Sequence, residues 1–91
     1  MTRKASGERR CTDITPGPGG VMTDEVGVVT GPLTLCSELG GEDIDGREMT
    51  LRVQYKDADE WYTVTGGRCT LADAADLDAV HTIAVGLLNR G

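Results

Sequence analysis

MTLRVQYK, residues 49–56, alternates without exception. Met49, Leu51, Val53 and Tyr55 fall on one face of an extended chain, and Thr50, Arg52, Gln54 and Lys56 fall on the other. A period of two is the spacing of a pleated strand, and one apolar face against one polar face marks an antiparallel strand with a single buried side. The fold is read outward from this segment.

Downstream, Asp57-Ala58-Asp59 reads as a hairpin loop and Glu60 to Thr65 as the returning strand. Tyr62 and Val64 share one face of it, while Trp61, Thr63 and Thr65 share the other. With Tyr62 and Val64 in the core, Trp61 lies beside the polar row of Arg52 and Gln54. There it either stacks on an arginine stem or awaits a partner. Gly66-Gly67 then reads as a break before a helix, with Arg68 and Cys69 at the joint. Thr70 followed by Asp73 resembles a capping box, and Asp73 and Asp76 lie near the positive end of the helix dipole. At 100° per residue, Leu77, Val80, Ile83, Ala84, Leu87 and Leu88 form one broad stripe, opposed by Asp78, Thr82 and Asn89.

Upstream, ELGGEDIDGRE (38–48) is acidic and Gly-rich and reads as a loop. LTLCS (33–37) alternates as a half-buried strand should, and EVGVVT (25–30) is a β-branched run stopped by Gly31-Pro32. Residues 1–20 have no apolar periodicity and alternate Pro and Gly at their end. That composition buries too little surface to offset the entropy of ordering it, so a disordered basic tail is expected there. Residues 21–91 are then a single α+β domain: a small antiparallel sheet of about four strands in β-β-β-β-α order, with one C-terminal helix packed on one face. Its core has no Phe, one Trp and two Tyr. A core so small and aliphatic is compatible with self-association.

Charge is unevenly divided. Residues 1–12 hold four basic side chains against one acidic, and the remainder holds five against fourteen, within an overall −6. An acidic body repels a phosphate backbone, which sets nucleic acid aside. It suits a basic protein surface, or simple solubility. No apolar run approaches the ~20 residues of a membrane span. The charged start leads into Gly and Pro rather than an apolar stretch, so no signal peptide is expected. Cys11, Cys36 and Cys69 are odd in number and lack a CxxC pairing, which implies reduced thiols and a cytoplasmic location. Abundant Gly, Ala, Asp, Thr and Val, with one Asn and two Lys, suggest a GC-rich bacterial or phage gene.

Candidate chemistry is sparse. Gly66, Gly67 and Arg68 at a strand-to-helix joint offer backbone donors and a cation to an anion. Neither GxxxxGK[ST] nor GxGxxG is present, however, and two glycines also serve a chain reversal. Cys69 and His81, twelve residues apart on one helix, would be roughly 18 Å apart, which excludes a nucleophile–base dyad. Cys36 reads as a small packing residue and His81 as a half-buried histidine satisfied by a backbone group. Cysteine and histidine spacings of 25, 33 and 12 residues fit no closed zinc site. Glu42, Asp43 and Asp45 invite a calcium reading. Alignment on Gly46 then puts Gly41 where the first Asp of an EF-hand belongs and Arg52 where its bidentate Glu belongs. A solvated acidic loop remains.

The resulting expectation is a small acidic, non-enzymatic interaction module without cofactor or metal. It binds a protein partner, a second copy, or both, through Trp61, Arg52, Gln54, Glu42, Asp43 and Asp45. One such role is an accessory or phage-type inhibitor of a basic protein surface. The alternative is a small-ligand or anion-binding protein, enzymatic or not, built on the Gly66-Gly67-Arg68-Cys69 joint.

Overall fold

A computed structural model describes residues 8–40 and 47–90. It is an α+β fold, an antiparallel sheet with one C-terminal helix packed against it. The strands are β1 (Arg9–Ile14), β2 (Val21–Thr23), β3 (Gly27–Val29), β4 (Leu33–Leu39), β5 (Glu48–Tyr55) and β6 (Tyr62–Thr70), and α1 spans Leu77–Leu88. Their order across the sheet is β1-β4-β5-β6-β2-β3.

The alternation in residues 49–56 becomes β5, paired with β4 so that Leu35 faces Val53 and Leu39 faces Met49. Directly opposed residues share a face, so Leu33, Leu35, Leu39, Met49, Leu51, Val53, Tyr62 and Val64 line one side. That side carries the core. One buried cluster gathers Ile14, Val21, Val29, Leu33, Leu35, Val53, Val64 and Ala84. A second gathers Leu39, Met49, Leu71 and Leu77, and Leu51 packs against both.

Six strands replace the expected four, and one of the added strands, β1, lies within residues 1–20, where a disordered tail was expected. Arg9–Ile14 is an edge strand paired with β4 from Arg9↔Glu38 to Ile14↔Leu33. Residues 15–20 then carry the chain across to β2 at the far side of the sheet. An edge strand needs only one apolar anchor; Ile14 is 3% exposed, while most of RRCTDI faces water. Residues 1–7 lie outside the described residues.

The expected Gly66-Gly67 break is also corrected. β6 runs through both glycines to Thr70, and the glycines form a bulge. Between the Thr50↔Arg68 and Arg52↔Thr63 pairs, Leu51 alone opposes the interval from Val64 to Gly67. Gly66 takes a left-handed φ of +78°, and a Cβ on Gly67 would come within 2.9 Å of Leu51 Cβ. Glycine at both positions lets β6 buckle over Leu51. The helix therefore starts later than expected. Asp73 Oδ1 accepts the Ala75 N–H at 2.8 Å to open a single 3₁₀ turn, Ala74–Asp76, and α1 follows.

The helix is rotated from its expected pose. Leu77, His81 and Ala84 are its buried residues, whereas Ile83 and Leu87 are each 63% exposed. The cause is a line of fastenings to β1 and the residue after it. Arg10 pairs with Asp78, Thr12 bonds His81, and the Thr15 N–H donates to Asn89 Oδ1 at 2.9 Å while Thr15 O accepts the Arg90 N–H at 3.0 Å. These hold α1 over β1 and β4 and away from β6.

Candidate functional site

The two sides of the sheet differ in kind. On the side away from α1, a chain of polar contacts runs across the strands. Glu25 accepts the Thr63 N–H at 2.7 Å and the Thr63 hydroxyl at 2.9 Å. The backbone N–H bond is the largest cause that holds the Glu25 carboxyl below its usual range. Arg52 donates to Thr63 Oγ1 and to Glu38 Oε1, both at 3.0 Å. Glu38 also lies 3.7 Å from Arg9, whose guanidinium sits 5.1 Å from the centre of the half-buried Trp61 ring.

Trp61 thus stacks on an arginine of β1, and Arg52 is occupied by two partners within the chain. Gln54 is half-buried on the same side. Glu42, Asp43 and Asp45, the acidic part of the expected surface, lie outside the described residues. The internal bonds hold these polar groups in fixed positions and take up part of their donor and acceptor capacity.

Beneath Arg9 lies a disulfide between Cys11 and Cys36, with Cα atoms 4.1 Å apart. This corrects the expectation of reduced thiols and the reading of Cys36 as a packing residue. The β1–β4 register sets Cys11 directly opposite Cys36, an arrangement invisible in a spacing of 25 residues. Cys36 is fully buried and Cys11 exposed.

His81 is buried on the helix side, satisfied by two hydroxyls and not by the backbone. Thr12 Oγ1 and Ser37 Oγ lie 2.8 Å from Nε2 and Nδ1 respectively. Burial is the main cause that pushes its pKa below the ordinary 6.5, helped by Arg10 and opposed by Asp78. Cys69 stands elsewhere, exposed on β6. No group of three or more His, Cys, Asp or Glu side chains able to hold a metal occurs among the described residues. No helix among them is long and apolar enough to cross a membrane.

The joint proposed for an anion does not exist as a strand-to-helix turn. Gly66, Gly67 and Arg68 belong to the β6 bulge, so no helix N-terminus points at them. The bulge instead makes the floor of an apolar groove of about 420 Å³. Met49, Leu51 and residues 66–69 form the floor, and Ala79, Val80, Ile83, Ala84 and Leu87 form the wall. The groove exists because α1 is tied to β1, leaving Leu51 and the β6 bulge only partly covered on that side. Its lining suits aliphatic side chains and supplies no general acid–base pair.

Sequence reasoning missed the groove. The apolar stripe is wider than one sheet contact requires, but nothing in it tells which part the rotation of the helix leaves open. Other exposed apolar side chains, Met22, Val26 and Val28, gather on the β2–β3 hairpin. Comparison with family models, with curated proteins and with solved structures finds no match, so the groove and its chemistry carry the functional argument alone.

Proposed function

We propose that this chain is a small acidic, non-enzymatic interaction module, and that its contact surface is the groove between α1 and β6. One observation carries the reading: Ile83 and Leu87 remain 63% exposed along the wall of an apolar groove, although the same helix buries Leu77, His81 and Ala84. Burial of what remains exposed of each contributes about 1–2 kcal/mol before the cost of association itself. A groove walled by a helix and floored by a strand fits an amphipathic helix laid along it.

The non-enzymatic part is supported by how the reactive groups are used. His81 is engaged by two hydroxyls, Cys11 and Cys36 are joined, and Cys69 has no base beside it among the described residues. The polar side, with Trp61 and Arg52, is internally bonded and ranks behind the groove as a surface. The disulfide favours an oxidising compartment over the cytoplasm.

The test is affinity capture with the full chain as bait beside an Ile83→Asp, Leu87→Asp double variant. Polypeptides retained by the native chain and lost by the folded variant support the groove. Identical capture by both baits removes it.

A further inference from the structure

We infer that the occupant of the groove is α1 of a second copy, packed antiparallel about a two-fold axis through Ile83. This rests on the groove being a docking surface and names what docks.

The argument is the sequence of the exposed helix face, taken outward from Ile83. Residues equidistant from a two-fold axis meet each other's copies. Four residues on either side stand Ala79 and Leu87, so the small side chain of one copy faces the large one of the other. Three residues away stand Val80 and Gly86. A Cβ on Gly86 would meet nothing within 4 Å, and that open space receives the partner's valine. Ile83 meets its own copy on the axis.

Charge at the helix ends points the same way. Asp76 precedes α1 by one residue, and Arg90 follows it by two, past the Asn89 cap and with its N–H on Thr15 O. Among the described residues neither side chain has an ion-pair partner, although the neighbouring Asp78 is paired with Arg10. An antiparallel copy sets acid against base at both ends, whereas a parallel copy sets like against like. In the antiparallel register centred on Ile83 small faces large, and the acidic start of each helix lies near the basic residue past the end of the other.

The decisive measurement is directed cross-linking. Ile83→Cys in a Cys69→Ser background places one thiol on the axis, so mild oxidation gives a covalent dimer. Asp59→Cys in the same background, on the hairpin loop, serves as control and gives none. Sedimentation of the native chain at about 100 μM gives a dimer, within the micromolar range of a small apolar interface. Ile83→Asp weakens it on the order of 100-fold, as loss of a central anchor does. Asp76→Arg weakens it on the order of 10-fold, and adding Arg90→Asp restores it.

A monomeric native chain, or oxidation no faster at position 83 than at 59, overturns the inference. A monomer that still captures another polypeptide in an Ile83-dependent way leaves the docking groove standing and removes only the second copy. A monomer with no such capture removes both. Should Ile83→Asp misfold, the cross-linking result decides alone.

Discussion

The imidazole of His81 lies between two hydroxyls on neighbouring strands, Thr12 on β1 and Ser37 on β4, each at 2.8 Å. In the neutral ring one nitrogen donates and the other accepts, and a hydroxyl can play either part. The arrangement joins α1 to two strands through a single side chain.

Acid should therefore weaken the fold in a defined window. The His81 pKa is depressed below 6.5, mainly by burial, so between the folded value and 6.5 the unfolded chain binds more protons. Stability is complete above 6.5, falls as pH drops below it, and levels off beneath the folded pKa. The slope is at most about 1.4 kcal/mol per pH unit. Denaturant midpoints from pH 7.5 to 5 should show this decline, and His81→Gln should flatten it. Glu25 and Asp13, both depressed, contribute in a lower window beneath the ordinary carboxylate range, where protonation removes their bonds.

Reduction of the Cys11–Cys36 bond should cost about 2–4 kcal/mol, the usual range for a cross-link. The expected loss is local before it is global. Hydrogen exchange in the presence of a dithiol should rise first at residues 9–14, because β1 pairs on one side only. Uniform acceleration across β4 and β5 would contradict this.

Gly67→Ala places a methyl 2.9 Å from Leu51 Cβ and 3.0 Å from its Cδ1. Leu51 packs against both core clusters, so a shift of its side chain toward the groove gives up contacts with them. A destabilisation of about 1–3 kcal/mol is expected, read as a lower denaturant midpoint. Gly86→Ala is the contrast. It fills open space within the helix and should raise monomer stability by about 0.5–1 kcal/mol.

Arg9→Ala uncovers one face of the Trp61 ring. Tryptophan emission should shift to the red and acrylamide quenching should increase. The stability change should stay within about 1 kcal/mol, since the pair lies at a wet surface. An unchanged spectrum would mean that other groups shield the ring.

How much of this was legible follows from the kind of signal each element carries. β5 announces itself because its alternation is complete, and a strand with one wet face has no other way to be written. The helix is equally plain in its period. Its rotation is not, because the helical wheel treats His81 as marginal, while Thr12 and Ser37, distant in sequence, draw it to the centre of the contact. β1 escaped because RRCTDI has the composition of a tail; only its pairing with β4 makes it a strand. Gly66-Gly67 carries the same local signal whether the chain turns or bulges, and the choice depends on Leu51 across the sheet. The groove was illegible for the same reason as the rotation that creates it.

The strand order also has a temporal side. β4, β5 and β6 follow one another in the chain and lie side by side, so that meander closes through short loops and is favoured to assemble early. β1, made before any of them, must wait on the ribosome for β4 to emerge. Its thiol stays accessible to oxidants for that interval, and Cys36 becomes shielded only once the margin of the sheet is in place.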